Sequence, residues 1–158
     1  MSNTATSITQ YLEKKQVSYR LLPHKTPATS IEDAALQRKC RPEQMVKSIL
    51  LRDMGNQYAL ACVPGNRQVD PKKVRAELNC RRMTCVSSNE LLEITGYEVG
   101  CVAPITLSTQ MPIVFDFELL KQNEVTISSG SNMAGIALKL EDLLALCSPV
   151  ISNIVRDL

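Results

Sequence analysis

The chain predicts a single α/β domain of the α+β kind, in which a mixed, largely antiparallel sheet curls into a barrel with helices packed outside it. Three observations carry this prediction. Strand-like and helix-like stretches alternate irregularly, several apolar runs are paired through hairpin-type turns, and 158 residues suffice for one core without a linker or repeat.

The elements follow in order. Ile8, Tyr11 and Leu12 fall at helical spacing and predict a helix from about Ser7 to Lys15. Val17 to Leu22 reads as a short strand. Thr29-Ser30-Ile31-Glu32-Asp33 places hydroxyls before acids, as a helix N-cap requires, and the helix it opens is expected to end near Arg41-Pro42. Pro42 to Met45 adds one further helical turn. Val46–Arg52 and Gln57–Val63 are β-rich runs around Asp53-Met54-Gly55-Asn56, which is a hairpin signal.

Asp70-Pro71 supplies an N-cap and a proline at the first helical position, opening a helix to about Leu78. Ser87 and Glu90 have capping-box spacing before a helix to about Ile94. Ile113–Phe117, Glu124–Ser128 and Ile136–Leu140 read as strands, Glu141–Leu146 as a helix, and Val150–Arg156 as a terminal helix.

Apolar residues make up 44% and charged residues 22%, the balance of an ordinary globular domain. With no Trp and only Phe115 and Phe117 as phenylalanines, aliphatic side chains must fill the core. No apolar run approaches the roughly 20 residues of a membrane span, and Met1 to Thr6 lacks the basic and apolar regions of a signal peptide, so a cytoplasmic protein without membrane contact is expected. The six cysteines form no C-x-x-C pair and read as free thiols. The lone His24 has no cysteine at ligand spacing, which argues against a metal site, and no cofactor motif is present.

The net charge of +2 conceals an asymmetry. Residues 1–82 hold 15 Lys/Arg against 7 Asp/Glu, and residues 83–158 hold 3 against 9. Lys72, Lys73, Arg75, Arg81 and Arg82 concentrate the positive charge, either as a patch for a polyanion such as RNA or as a solvated helix face.

Two features point to a ligand. Thr95 to Pro104 spends two of six glycines, Gly96 and Gly100, just before a proline. Such backbone either turns a helix into a strand or is shaped around a bound group. Lys47 opens a strand followed by Ile49, Leu50 and Leu51, so its ammonium either snorkels from the strand end or enters a pocket, where it would suit a phosphate or a developing oxyanion.

Val46-Lys47-Ser48-Ile49-Leu50, the segment Thr95 to Pro104, and Ser128-Ser129-Gly130 together resemble the YbaK/prolyl-tRNA synthetase-associated editing domains. The His-x-x-Pro-Ala-Thr stretch from His24 leading to Ala35, Val69 to Val74, and Leu140 to Leu144 extend the resemblance over nearly the whole chain, 1–158.

The resemblance implies a trans-editing aminoacyl-tRNA deacylase that cleaves a mischarged amino acid from a tRNA, usually a proline tRNA, with a synthetase as a possible further partner. It places the catalytic roles on Lys47, which holds the 3′ end, and on the backbone of Gly100 and Cys101, which faces the aminoacyl carbonyl. It has Gly96 and Pro104 shape the loop and implies that Thr29, Ser128 and Gly130 contact substrate, while the clustered charge of Lys72, Lys73 and Arg75 is expected to meet the tRNA.

No general base stands out, so water or a substrate hydroxyl is the expected nucleophile. A catalytic Cys101 thiol would need a base that the sequence does not name. Cysteine-editing members tend to carry Asp where this chain has Gly135, and Gly-Gly where it has Gly100-Cys101. Alanine-editing members have a His in the late loop, where Ser131-Asn132-Met133-Ala134 stands here. Alanine, serine, threonine and cysteine all remain open as the amino acid removed. A non-catalytic module binding aminoacyl-tRNA or a synthetase, and a small-molecule hydrolase, are the competing classes. A monomer is the default.

Overall fold

A helix at Ser7–Lys14 (α1) opens the fold, capped by Thr6, whose hydroxyl accepts from the Thr9 N–H at 3.2 Å. The structure, a computed structural model, describes residues 6–158; residues 1–5, read above as lacking a signal sequence, lie outside it. Strand β1 (Tyr19–Pro23) leads to α2 (Ile31–Arg38), a 3-10 turn at Pro42–Gln44, and the hairpin of β2 (Val46–Asp53) and β3 (Tyr58–Pro64). Then come α3 (Pro71–Leu78), β4 (Met83–Cys85), α4 (Ser88–Thr95), β5 (Ile113–Asp116), a 3-10 turn at Phe117–Lys121, β6 (Glu124–Ser128), β7 (Ala134–Lys139), α5 (Leu140–Cys147) and β8 (Val150–Ser152). No helix among the described residues is long and apolar enough to cross a membrane.

The expected barrel does not form. Two open sheets appear instead, one of three strands in the order β1-β7-β6 and one of five in the order β4-β2-β3-β5-β8. A single parallel bridge between Met45 and Thr126 joins them. Closure fails along β2, where β4 pairs only with Leu51 to Asp53 and leaves the first half of the strand without a neighbouring strand on that side among the described residues. The expectation of mixed pairing holds. β2–β3, β2–β4, β1–β7 and β6–β7 are antiparallel, while β3–β5 and β5–β8 are parallel.

The main core lies between the sheets. Leu50, Leu60, Cys62 and Phe115 from one sheet meet Val125, Ile127, Ile136 and Leu138 from the other, with Ile8 and Leu12 of α1 and Leu143 of α5 closing it. The opposite face of the larger sheet carries a second cluster, in which Val74 of α3 packs on Leu51, Ala61, Val63 and Val114. Strand β3 is therefore covered on both faces, which explains its unbroken apolar run.

Three local expectations are corrected. The Val150–Arg156 segment is not a helix: Ser148 ends α5 in the left-handed region, and β-branched Val150 and Ile151 pair alongside β5. Helix α2 stops at Arg38, before the expected Arg41, because Lys39 takes the left-handed cap conformation and Pro42 holds Arg41 extended. Ser87 makes no side-chain bond to the α4 backbone. Its hydroxyl donates to Asn89 and Glu90, and Glu90 is drawn to Arg52 of β2 at 3.0 Å. The brief β4 and the 3-10 turn after β5 carry too few residues to show a period in sequence.

Candidate active site

The failure of barrel closure produces a cavity of about 650 Å³ running along the free edge of β2. The last bond on that edge is Val86 N–H to the Leu50 carbonyl at 3.0 Å, and from Lys47 to Ile49 no strand covers it among the described residues. Its walls come from three directions. Thr29, Ser30 and Arg38 stand at α2, Val99, Gly100 and Val102 in the loop after α4, and Ser128, Ser131 and Asn132 at the β6–β7 turn.

Lys47 is among the residues that line this cavity. It is half-buried and has no carboxylate within 4.0 Å among the described residues. Burial lowers its pKa from the ordinary lysine value, and the nearby Glu32 opposes that shift. An ammonium in such a place offers donors to an anionic ligand at little cost in rearrangement.

The glycine segment is shared between core and cavity, and Val102, which lines the cavity, also packs against the core. Tyr97, Cys101, Ala103 and Ile105 enter the main core, while Val99, Gly100 and Val102 face the cavity. Gly96 ends α4 at φ +82°, its N–H donating to Leu92, and Gly100 takes φ +81° with open space where a Cβ would stand. Both positions favour glycine for conformational reasons. Tyr97 pins the loop by donating its hydroxyl to the Ile105 carbonyl at 2.6 Å, and the Pro104 carbonyl accepts from Cys147 Sγ.

Cys101 departs from its expected role. Its N–H donates to the Glu98 carbonyl at 3.0 Å, its side chain is 5% exposed within the core, and burial followed by Glu98 raises its thiol pKa. Neither a free backbone donor nor a thiolate is available there. Gly100 is left with an N–H that has no partner among the described residues.

The other predicted residues divide. Thr29 and Ser128 line the cavity, Thr29 donating its N–H and hydroxyl to Asp33, and Ser128 accepting from the Gly130 N–H at 3.0 Å. Gly130 supports that turn at φ +93° without lining the cavity, and Gly96 and Pro104 lie behind the wall. Lys72, Lys73 and Arg75 sit on α3 and none reaches the cavity. Lys72 and Arg75 are exposed, whereas Lys73 Nζ is held by the Val155 carbonyl at 2.7 Å and by Asp157 at 2.9 Å.

His24 and Arg38 line the cavity without having been assigned a role. His24 is 6% exposed, and its Nδ1 donates to the Asn132 carbonyl at 2.8 Å, so Nε2 is free to accept from Arg38 Nε at 3.1 Å. Arg38 also donates from a terminal nitrogen to Thr126 Oγ1 at 3.1 Å. An arginine in the last turn of a helix gives no sign in sequence that it turns inward.

Burial lowers the His24 pKa below the usual 6.5, with the Asn132 carbonyl opposing the shift and Arg38 adding to it. The unfolded chain therefore takes up a proton first as pH falls through about 6.5, and stability contributed by neutral His24 is lost toward lower pH. Thermal melts at about pH 7.5 and pH 5.5 are expected to differ more in the wild type than in His24→Gln.

The fold defined by this arrangement is shared by solved structures. That of the hypothetical protein APE2540 superimposes with a TM-score of 0.88 at 20% identity, covering 96% of this chain and all of that one. The model of the aminoacyl-tRNA editing domain matches residues 25–146, and the chain belongs to that family. The multifunctional Ser/Thr-tRNA deacylase ProXp-y of Escherichia coli (strain K12) is 25% identical, over 72% of this chain and 70% of its own. The proline-tRNA ligase of Kosmotoga olearia is 30% identical over 56% of this chain, a match that spans only 15% of the ligase.

Proposed function

We propose that residues 1–158 act as one trans-editing deacylase, hydrolysing the ester that joins a small, wrongly attached amino acid to the 3′ end of a tRNA, a proline tRNA above all. The observation that carries this reading is Lys47, which has no carboxylate partner among the described residues and lines the same cavity as Gly100, whose N–H has no partner among them. Ester hydrolysis passes through a tetrahedral oxyanion, and preorganised donors stabilise it without reorganisation. In this reading Gly100 donates to the oxyanion and Lys47 holds the charge of the terminal nucleotide. Thr29 and Ser128 bound the aminoacyl group. With Cys101 spent in the core, the nucleophile is water or a hydroxyl of the terminal ribose.

Family membership and the Ser/Thr-tRNA deacylase relative support the reaction class. The ligase relative supports proline tRNA and a prolyl synthetase as partner. The direct experiment charges proline tRNA separately with Ala, Ser, Thr, Cys and Pro and follows release of the amino acid. Release of a small non-cognate residue with Pro retained is the expected result. Binding without release from any of them would instead identify a non-catalytic module.

The tRNA body is assigned to α3. Lys72 and Arg75 are free for phosphates, whereas the charge of Lys73 is already met by Asp157. Neutralising Lys72 and Arg75 together is expected to reduce the salt slope of tRNA binding by roughly two, about one per phosphate contact, and Lys73→Ala by less. An unchanged slope would return α3 to an ordinary solvated face.

A further inference from the structure

Arg38 presents an unusual balance of charge and hydrogen bonding. Its side chain lies over the smaller sheet at the α2 end of the cavity, where Nε is taken by His24 and one terminal nitrogen by Thr126. A guanidinium has five N–H donors, so three remain. No carboxylate lies within 4.0 Å of it among the described residues. The terminal nitrogen that does not meet Thr126 has no partner among the described residues and is not fully buried, so it keeps accessible surface in a side chain that lines the cavity.

The space that Arg38 occupies is created by a distant glycine. A Cβ on Gly135 would stand 2.2 Å from Arg38 Nε and 2.5 Å from its Cζ, nearer than any side chain could tolerate. Gly135 has no positive φ, so its lack of a side chain serves Arg38 rather than the backbone. His24, held in one tautomer by Asn132, then fixes the guanidinium from the other side.

We propose that Arg38 is a specificity residue whose free N–H donors bind an oxygen acceptor on the side chain of the aminoacyl group, so that the cavity selects an acceptor-bearing amino acid over an alkyl or thiol one. The inference rests on the deacylase reading for the orientation of the substrate. A hydrogen bond to a charged donor is worth enough to make the preference on the order of tenfold or more. A hydroxyl, as in serine, and a carboxylate, as in aspartate, share the required chemistry. Cysteine has the shape of serine with a weak acceptor, and alanine has none.

The test uses the full chain and non-hydrolysable 3′-aminoacylamino-3′-deoxyadenosines bearing Ser, Asp, Cys or Ala, with dissociation constants measured by calorimetry. The wild type is expected to bind the Ser or Asp compound at least about tenfold more tightly than Cys or Ala. The larger of the two assigns hydroxyl or carboxylate. Arg38→Met keeps the length and removes the donors, and Gly135→Ala keeps the arginine but displaces it. Both are expected to compress the four affinities to within about threefold, with thermal melts confirming folding.

Equal affinities in the wild type, a preference that persists in Arg38→Met, or an equal loss for all four compounds would overturn the proposal. Hydrolysis of charged tRNA is read separately. A binding preference without release sinks the deacylase reading and leaves the subsite standing, and release without a preference does the reverse.

Discussion

Lys47→Ala is expected to lower deacylation of a mischarged tRNA by about 100- to 1,000-fold, the range for loss of one preorganised donor at a developing charge. The reasoning begins with its place on β2. Because β4 ends at Cys85, opposite Leu51, the lysine lies on a stretch of β2 edge with no neighbouring strand and lines the cavity, and its ammonium has no carboxylate within 4.0 Å among the described residues. Burial lowers its pKa, so the folded state disfavours the ammonium relative to the unfolded chain. Stability from this group therefore rises with pH through the interval below the ordinary lysine value, and at neutral pH the charge is a cost of folding. The variant should then melt no lower than the wild type while losing activity. Single-turnover release from charged tRNA, beside a thermal melt, checks both halves, and wild-type rates in the variant would remove Lys47 from the mechanism.

Phe115→Ala is expected to cost about 3–5 kcal/mol of stability and to lower the melting temperature by on the order of 10 °C. Phe115 is fully buried at the middle of β5, paired with Cys62 of β3 on one side and Ile151 of β8 on the other. Its ring fills the main core between the two sheets, where the chain has no tryptophan and no other buried phenylalanine to take up the space. A domain of this kind has only about 5–15 kcal/mol in hand, so the loss is a large part of the total. Urea denaturation measures it. A loss under about 1 kcal/mol would mean that the two sheets close over the cavity left behind.

Elements with their own local chemistry were legible. Asp70-Pro71 started α3, the Asp53–Asn56 turn joined β2 to β3, and Ser30 capped α2 by accepting the Asp33 N–H. Each depends on residues only a few positions apart, and turn and cap geometry acts over that range. The end of the chain was misread for the same reason. Val150 to Ser152 becomes a strand through parallel pairing with β5, whose residues lie more than thirty positions away. Lys47 and the Gly96–Pro104 segment stood out because their residue types are unusual in context, and family resemblance tied them together. Arg38 did not, since its inward turn requires a glycine nearly a hundred residues later.

The amino-acid sequence alone determined the types of most elements, the charge asymmetry and a lysine set in an apolar strand, because propensity, capping and composition are local properties. The tertiary structure decided that the sheets stay open, that the free edge of β2 becomes a cavity wall, and that Cys101 enters the core while Gly100 faces out. The physical reason is pairing at a distance. Where β4 stops, a half-strand lacks a partner, and the walls placed there by α2, the glycine loop and the β6–β7 turn leave room for a ligand.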